Sequence, residues 1–390
     1  METFKWKHPT EIIFGNGSIE QLGQITAKYG ERALLVTTSQ KGRTSWVYER
    51  AKEILEAAGV TWGHFDKVMP NPVTDIVTEG AELARAMDAK VIIGIGGGSS
   101  MDTAKAIAVE VAHEGCAWDY LHYKKQPTKA TLPIIAVSTT SGTGSQVTQC
   151  AVITHTQTKD KSAIWHENIF PRTAIVDPEL MVSVPKDVTA ATGFDAFAHN
   201  FEALISIGTN PYVRALALSG IELIINNLPK ALEDPLNLSC RGAMAWADTL
   251  GGLAISSGGV TLPHGVGMQI SGHCPHVSHG LSLSVLYPEF TRFTWSSKVP
   301  EFARVGRLFN KELYHVSEEE AARRCCEEID RFIQEIGMWT TFEELGVSPE
   351  EVREIADCAH ILNDYKNNPK IADIHTIYEM MMKRMSNGGI

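Results

Sequence analysis

The chain has 390 residues, enough for two or three domains of ordinary size. A hydrophobic share of 44% and a charged share of 21% are typical of a globular protein, which excludes collagen-like, disordered and coiled-coil structures. The formal net charge of -11 disfavours a broad basic surface. We therefore expect neither a nucleic acid nor a membrane as partner, and a small-molecule ligand instead.

The cysteines and the N-terminal segment indicate a cytoplasmic protein. The seven cysteines are odd in number and form no CxxC pair, which favours reduced thiols over a disulfide framework. The N-terminal segment lacks the apolar run of a secretory signal, and no stretch approaches the roughly 18 to 20 apolar residues of a membrane span.

The first half of the chain alternates short β-branched runs with helical stretches. An apolar segment at residues 11–14 and the runs 33–37, 91–95 and 133–137 predict strands, and amphipathic segments near 46–58 and 74–88 predict helices. Such alternation is typical of βαβ units around a mainly parallel sheet.

Strand patterns become rare after residue 185, and long helical patterns replace them. The predicted helices lie near residues 187–206, 212–227, 240–256, 317–336, 349–362 and 370–386. The sequence therefore predicts an α/β domain over residues 1–184 and an all-helical domain over residues 185–390.

A glycine-rich segment follows the predicted strand 91–95. It runs from Gly96 to Asp102 (GGGSSMD) and leads into a predicted helix. Glycines allow backbone N–H groups to approach a ligand closely, and a helix N-terminus attracts negative charge, so the junction suits a pyrophosphate. The spacing is not the GxGxxG of the Rossmann fingerprint, and a simple strand-to-helix turn is the alternative.

A second loop, from Ser138 to Ser145, follows the predicted strand 133–137 and is rich in hydroxyl side chains and glycine. In open α/β sheets, ligands bind at the carboxyl ends of the strands. Two loops that leave neighbouring strands at that edge can hold a dinucleotide between them, so the pair predicts a dinucleotide site.

The end of strand 33–37 bears on which dinucleotide binds. Many NAD sites place a carboxylate near this point, where it binds the ribose 2′-hydroxyl and repels a 2′-phosphate. The segment Thr37–Lys41 has no carboxylate and ends in a cation. We expect Thr38 to contact the cofactor, which is NADP or NAD, with NADP(H) favoured.

Asp195 and His199 lie four residues apart in a predicted helix and so project from one face. The pair alone is more often a salt bridge than a metal site. However, a short downstream stretch contains four histidines, and clustered imidazoles are unusual without a cation to bind. The four are His264, His273, His276 and His279, and spacing alone does not rank them. Aspartate with histidine suits Fe²⁺ or Zn²⁺ rather than Ca²⁺.

Four segments together resemble the iron-dependent (group III) alcohol dehydrogenases. They are GGGSSMD at 96–102, TTSGTGSQVT at 139–148, GFDAFAHNFEA at 193–203, and LPHG with HVSHG at 262–280. The resemblance covers nearly the whole chain. It implies the fold shared with glycerol dehydrogenase and dehydroquinate synthase, with a nucleotide-binding α/β domain, a helical metal-binding domain, and the active site in the cleft between them.

The resemblance also assigns residues. The metal ligands it implies are Asp195, His199, His264 and His279. The cofactor contacts it implies, besides Thr38, are Asn71, Gly97, Gly98, Ser99, Asp102, Thr139, Thr140, Thr143, Thr148 and Lys161.

One position departs from the family pattern. Many members carry a further histidine four residues after the third metal ligand, where it helps to position substrate or to move a proton, and this chain has Met268 there. His273 is a candidate catalytic replacement beside His264, and a route through the cofactor ribose and water is the alternative.

The expected activity is hydride transfer between the nicotinamide cofactor and a small, primary aliphatic alcohol, with the divalent ion acting as a Lewis acid. A homodimer is expected.

One alternative to this activity is a zinc-dependent polyol dehydrogenase of the glycerol type. Another is a lyase of the dehydroquinate synthase type, although the segment Gly251–Tyr287 lacks the Lys and Arg that a phosphorylated substrate requires. A metal-dependent hydrolase would leave both loops without a role, and a non-catalytic nucleotide-binding regulator would leave the metal residues unexplained.

Overall fold

The structure, a computed structural model, describes residues 3–158 and 160–386. The chain forms two compact units. The sheet unit comprises Lys7–Pro185 with Pro235–Ala245, and the helical unit comprises residues 3–6, 186–234 and 246–386. These units differ from a division after residue 184 in three places, because residues 3–6 belong to the helical unit, and Pro185 and residues 235–245 belong to the sheet unit.

Parallel strands form the centre of the sheet unit. The strands are β1 (Glu11–Phe14), β2 (Arg32–Thr38), β3 (Thr61–Val68), β4 (Val91–Gly96), β5 (Ile134–Ser138), β6 (Cys150–Thr154), β7 (Lys161–Trp165) and β8 (Thr173–Val176). In the described part of the chain, six of them form an all-parallel sheet in the order β1-β8-β5-β4-β2-β3. The other two, β6 and β7, form an antiparallel hairpin.

Strand β4 is buried on both faces of the sheet, which stabilises it. All six of its residues are buried. Ile92 packs into the hydrophobic cluster on one face of the sheet, whereas Ile93 and Ile95 pack into the cluster on the other face. Successive side chains of a strand point to opposite faces, so a continuous run of apolar residues fits a sheet that is covered on both sides.

The helices of the sheet unit are α1 (Leu22–Ala27), α2 (Ser45–Ala57), α3 (Thr74–Ala86) and α4 (Gly98–Ala112). The strands predicted near residues 11–14, 33–37, 91–95 and 133–137 and the helices predicted near 46–58 and 74–88 are all present within about two residues. Strands β3 and β8 and the hairpin of β6 and β7 were not recognised from the sequence. The α/β fold class is confirmed.

The helical unit contains no strand among its described residues. Its helices are α5 (Lys186–Ile205), α6 (Pro211–Glu233), α7 (Leu238–Gly258), which begins in the sheet unit, α8 (Leu262–His273), α9 (His279–Ser284), α10 (Tyr287–Thr294), α11 (Val299–Phe309), α12 (Glu318–Glu335), α13 (Pro349–Cys358) and α14 (Ile374–Lys383). The prediction of an all-helical second half is confirmed. None of the helices in the described part of the chain could span a membrane.

Helix α5 is the buried centre of the helical unit. Every residue from Gly193 to Ile205 is buried. Its Phe197 ring packs against Phe201 and against Phe332 of α12, with ring centroids 5.7 and 5.5 Å apart. Because the helix is buried all round from Gly193 to Ile205, the polar residues of this stretch need partners inside the protein, since an unsatisfied buried polar group is costly.

Candidate functional site

Helix α5 brings Asp195 together with three histidines. Asp195 Oδ1 lies 3.7 Å from His199 Nε2 and 3.4 Å from His264 Nε2. It also lies 3.7 Å from His279 Nε2. His264 is the third residue of α8 and His279 is the first residue of α9. Three imidazole nitrogens from three helices therefore surround one carboxylate oxygen, all within the helical unit.

These side chains have the burial and the donor atoms of a metal site. Asp195, His199 and His264 each offer a ligand atom within 4.8 Å of the others, and all three residues are buried. Asp195 Oδ1 and His264 Nε2 are buried without a hydrogen-bond partner in the described part of the chain. A divalent ion would satisfy both atoms at once, and one carboxylate with imidazoles is a donor set that suits Fe²⁺ or Zn²⁺.

The electrostatics of the cluster favour positive charge beside Asp195. Burial alone would raise the pKa of Asp195, but the imidazoles of His199, His279 and His264 outweigh it and lower this pKa to about 2. Burial alone would lower the pKa of His264, but the carboxylates of Glu202 and Asp195 outweigh it and raise this pKa to about 10. An anionic Asp195 is what a cation site requires.

A close helix contact places His279 at the site. A Cβ added to Gly280 would lie 2.3 Å from the carbonyl oxygen of Ala191 in α5, so only glycine allows α9 to approach α5 this closely. The neighbouring His279 ring then lies 5.3 Å from that of His264, between centroids. The glycine that follows His279 in the sequence therefore has a structural role, because it allows α9 to pack closely against α5.

Glu202, which the sequence patterns did not single out, contacts the cluster through His264. Its Oε1 lies 2.8 Å from His264 Nδ1, and the side chain is fully buried. Burial and the nearby Glu202 carboxylate raise the pKa of the Tyr287 hydroxyl, which donates to Glu202 at 3.2 Å. The signal was present in the sequence, because residues 195, 199 and 202 follow the i, i+4, i+7 spacing of one helix face.

Asp364 is a second carboxyl group that the sequence did not single out. It lies in the 3-10 turn Asn363–Asn367, and its Cβ is 3.5 Å from where a Cβ on Gly265 would be. Burial raises the pKa of Asp364 to about 6, against the opposing influence of His264. The turn therefore adds a titratable group to the surroundings of the metal ligands.

The candidate proton carrier His273 is not brought to the cluster. It is nine residues from His264 on α8, which is two and a half turns, so the two side chains leave opposite faces of the helix. Its Nδ1 donates to the carbonyl oxygen of Gln269 at 2.9 Å. Met268 is four residues from His264, on the same face, and is buried.

The two loops predicted to hold a dinucleotide meet in the sheet unit. They leave the paired strands β4 and β5, whose register aligns Gly96 with Ser138. A Cβ on Gly97 would lie 3.1 Å from Thr140 Oγ1, and one on Gly98 would lie 2.8 Å from Thr143 Cγ2. At Gly98 a Cβ would force the loops to shift, and at Gly97 it would make the contact tight. Ser99, which follows them, is in the first turn of the 15-residue helix α4, where backbone N–H groups are free to bind an anion.

Several predicted cofactor contacts are engaged with the protein itself. Asp102 Oδ1 accepts a hydrogen bond from Ser145 Oγ at 2.6 Å, and its Oδ2 accepts one from the Val152 amide at 3.0 Å. Thr148 Oγ1 accepts from Lys105 Nζ at 3.3 Å. These side chains fix the shape of the second loop. In contrast, Thr140 Oγ1 is buried without a hydrogen-bond partner among the described residues.

The structure brings Asn71 and Lys161 together although 90 positions separate them. Lys161 Nζ, at the start of β7, donates to Asn71 Oδ1 at 2.8 Å. Asn71 has a φ of 53°, a left-handed conformation that asparagine tolerates better than most residues. The hairpin that sequence analysis missed therefore carries one of the residues it singled out.

At the end of β2, Thr38 Oγ1 is 2.8 Å from the Tyr48 hydroxyl. The structure also adds a carboxylate here that the segment Thr37–Lys41 lacks. Asp66 of the neighbouring strand β3 accepts a hydrogen bond from Gln40 Nε2 at 3.0 Å. The local sequence could not show this contact, because it depends on the pairing of β2 with β3.

Comparison with known proteins agrees with this geometry. The model of the iron-containing alcohol dehydrogenases matches residues 9–178, and the model of the C-terminal part of the same family matches residues 189–385. The chain is 34% identical to the NAD-dependent methanol dehydrogenase of Bacillus methanolicus, over 96% of this chain and 97% of that one. It is 35% identical to the choline dehydrogenase of Bacillus subtilis strain 168, over 89% and 87% of the two chains.

A solved structure shows the same fold over the full length. An archaeal halo-thermophilic alcohol dehydrogenase from a Red Sea brine pool matches with a TM-score of 0.93 and 31% identity, over 99% of this chain and 100% of that one. Both halves of the chain thus match one family, in sequence and in fold. The chain belongs to the iron-containing alcohol dehydrogenase family.

Proposed function

We propose that the protein catalyses reversible hydride transfer between a nicotinamide cofactor and a small primary aliphatic alcohol. The arrangement of three imidazole nitrogens within 3.7 Å of the buried Asp195 Oδ1 carries this proposal. Membership of an alcohol dehydrogenase family makes the enzyme an oxidoreductase that acts on alcohols or aldehydes. The primary aliphatic class rests on the relatives, whose names include methanol and choline.

The proposed metal ligands are Asp195, His199, His264 and His279, and we assign Fe²⁺ as the ion, with Zn²⁺ as the alternative. A divalent ion there would supply a Lewis acid that favours loss of the alcohol proton. The protein contributes the rigid frame. Asp195 supplies the negative charge, and the buried helix α5 holds Asp195 and His199 one turn apart.

The proposed dinucleotide site lies on the sheet unit. Backbone amides at Gly97, Gly98 and Ser99 bind the pyrophosphate at the N-terminus of α4, because this end of a helix attracts anions. The other residues assigned to the site are Thr38, Asn71, Asp102, Thr139, Thr140, Thr143, Thr148 and Lys161. Among them, Asp102 and Thr148 act by fixing the second loop, since their side chains bind Ser145 and Lys105.

We propose NADP(H) as the preferred cofactor. The segment Thr37–Lys41 carries Lys41 and no carboxylate. The Asp66 carboxylate nearby is bound to Gln40. A cation at this position favours a 2′-phosphate, whereas a carboxylate beside the ribose would repel it, so the proposed preference rests on Lys41 and not on the hydrogen bond of Asp66.

His273 has no step in the proposed reaction. It lies on the face of α8 opposite to His264, and its Nδ1–H is donated to Gln269. Met268 has no titratable group. Neither side chain would therefore carry the alcohol proton, for which a bound cofactor ribose and water would supply a route.

A cytoplasmic homodimer is the proposed assembly. Strand β1 is at the edge of the parallel sheet, and its last residue Phe14 is 41% exposed. An edge strand with apolar side chains can pair with the same strand of a second copy. Within the described residues none of the seven cysteines forms a disulfide, which fits a reducing compartment. Light scattering would test the dimer, and a monomer mass would contradict it.

An assay of the reduced nicotinamide absorbance at about 340 nm tests the proposed activity. The Fe²⁺-loaded protein is assayed with NADP⁺ and with NAD⁺ against methanol, ethanol, 1,3-propanediol, choline and glycerol. We expect turnover with primary alcohols, and a higher kcat/KM with NADP⁺. Turnover with glycerol alone would favour a polyol dehydrogenase, and no turnover with any pair after Fe²⁺ or Zn²⁺ loading would contradict the proposal.

A further inference from the structure

We propose that Glu202 is a positioning residue of the metal centre, which fixes His264 as a metal ligand and supplies the second negative charge that balances a divalent ion. The inference rests on the proposed function, because it assumes that Asp195 and the three histidines bind a metal. It adds a residue that lies outside the proposed ligand set and acts through His264.

Glu202 is in direct contact with His264. It follows Asp195 and His199 on α5 at the spacing of one helix face, and its Oε1 lies 2.8 Å from His264 Nδ1. The Glu202 side chain is fully buried, and that of His264 is 5% exposed. The contact is thus a hydrogen bond within the interior.

This hydrogen bond selects the tautomer of His264. A metal ion binds the neutral imidazole, which has a single N–H, so when that N–H is Nδ1–H and is donated to a carboxylate, Nε2 keeps its lone pair for the ion. Nε2 is the atom that lies 3.4 Å from Asp195 Oδ1, and both atoms are buried without hydrogen-bond partners in the described structure. A carboxylate behind a metal-binding histidine is a common way to orient the ring and strengthen the ligand.

Glu202 is itself held in place by further donors. Its Oε2 accepts from the Thr261 amide at 2.7 Å and from Thr261 Oγ1 at 3.0 Å. Its Oε1 also accepts from the Tyr287 hydroxyl at 3.2 Å. Thr261 directly precedes α8, the helix that carries His264. The carboxylate therefore joins α5 to the start of α8 and to α10, and its position is fixed before any ion binds.

The charges of the cluster explain why a carboxylate is needed here. None of the groups that donate to Glu202 is a permanent cation, and an uncompensated buried carboxylate is costly. With neutral histidines, Asp195 and Glu202 together carry two negative charges, which equal the charge of Fe²⁺ or Zn²⁺. Without Glu202 the loaded site would carry a net positive charge in a buried environment, so the ion would bind less tightly.

Metal binding to the apoprotein tests this inference without reference to catalysis. Glu202→Gln keeps the size of the side chain and removes the charge, and Glu202→Asp keeps the charge and shortens the reach. Glu328→Gln is the matched control. Glu328 is a buried carboxylate of the same unit, but it lies on α12 and not on α5, and its Oε1 accepts a hydrogen bond from Asn310 at 2.9 Å. Co²⁺ is the probe, and its affinity is measured by competition with a chromophoric chelator.

We expect Glu202→Gln to weaken Co²⁺ binding about 10- to 100-fold and to alter the visible spectrum of the bound Co²⁺. Glu202→Asp should recover part of the affinity, and Glu328→Gln should match the wild type in both readouts. Wild-type affinity and an unchanged spectrum in Glu202→Gln would overturn the inference and leave the proposed function intact. A wild-type protein that binds no Co²⁺ would overturn the proposed function and the inference with it.

Tyr287→Phe keeps the test decisive should Glu202→Gln fail to fold. This change removes one donor to Glu202 and leaves the carboxylate and His264 in place. We expect about 2- to 10-fold weaker Co²⁺ binding, because the carboxylate loses part of its support. Unfolding midpoints of each apoprotein check the fold, and wild-type Co²⁺ binding in both Tyr287→Phe and Glu202→Asp would overturn the inference.

Discussion

Lys105 Nζ donates to both the carbonyl oxygen and the hydroxyl of Ser145, at 2.7 and 2.8 Å. The same nitrogen donates to Thr148 Oγ1 at 3.3 Å and to the Cys150 carbonyl oxygen at 2.6 Å, and the Lys105 side chain is fully buried. One lysine on α4 thus binds the last residue of the second loop, Ser145, and two residues just beyond it. The contacts anchor one end of a loop rich in serine, threonine and glycine.

Lys105→Met should therefore weaken both the fold and dinucleotide binding. Methionine fills a similar volume but leaves the acceptors on Ser145 and Cys150 unsatisfied, and Asp102 loses a cation 3.9 Å away. We expect the free energy of unfolding to fall by about 3 kcal/mol. Denaturant unfolding and a fluorescence titration with NADPH measure the two effects. Lys67→Met, which removes an exposed ion pair with Glu79, should change neither.

Gly98→Ala should separate the two loops. The added Cβ would lie 2.8 Å from Thr143 Cγ2, too close for carbon atoms, so the loops must move apart. We expect weaker binding of NADP(H), and unchanged Co²⁺ affinity because the metal ligands belong to the other unit. Thr143→Ser removes Cγ2 and keeps the hydroxyl, so the double variant should regain part of the affinity. Equal NADPH affinity in Gly98→Ala and the wild type would contradict this explanation of the glycine.

His64 should make stability depend on pH. Burial, and then the charge of Lys52, lower the pKa of His64 to about 4, and its Nε2 lies 2.8 Å from Thr37 Oγ1. The unfolded chain has a histidine pKa of about 6.5, so between about pH 6.5 and pH 4 it binds a proton that the folded protein does not. The free energy of unfolding therefore falls as the pH decreases from about 6.5 to about 4. Above about pH 6.5, His64 adds no pH dependence to the stability.

His64→Gln should remove this part of the pH dependence. Between about pH 7.5 and about pH 5, we expect the wild type to lose about 1 kcal/mol more than the variant, allowing for the partial exposure of the ring. The exposed His375→Gln is the control. Parallel pH profiles for wild type and His64→Gln, measured by denaturant unfolding, would show that His64 is not responsible.

Ser39→Asp should move cofactor preference toward NAD(H). The change places a carboxylate after β2, where it can bind a ribose 2′-hydroxyl and repel a 2′-phosphate. We expect the ratio of kcat/KM for NADP⁺ to that for NAD⁺ to fall at least about tenfold, mostly through KM for NADP⁺. An unchanged ratio would place the 2′ position away from the Thr37–Lys41 segment.

The sequence predicted local features better than features that depend on tertiary contacts. The apolar run of β4 and the spacing of Asp195 and His199 are local signals, and both were recognised. The four clustered histidines could not be ranked, because their distances to Asp195 depend on how α8 and α9 pack against α5. The resemblance supplied His264 and His279, whereas the helix geometry separates His273 from His264.

Other features were missed for the same physical reason. Glu202 was within reach of a helix-face argument, but its role depends on His264, which is 62 positions away. The hairpin that carries Lys161 consists of two short strands whose stabilising contacts are with distant segments, such as the contact with Asn71. Pairing of β2 with β3 brings Asp66 to Gln40, which the segment Thr37–Lys41 alone could not reveal.

An anaerobic titration of the apoprotein with Fe²⁺ tests whether turnover depends on an ion bound by His264 and its neighbours. Alcohol-dependent cofactor reduction and bound iron are followed together in the wild type and in His264→Ala. We expect wild-type turnover to rise with bound iron and saturate at about one ion per chain. His264→Ala should bind little iron and turn over little, while its NADPH affinity stays within about twofold of the wild type. Full turnover by chelator-treated wild type, or by His264→Ala, would contradict the account.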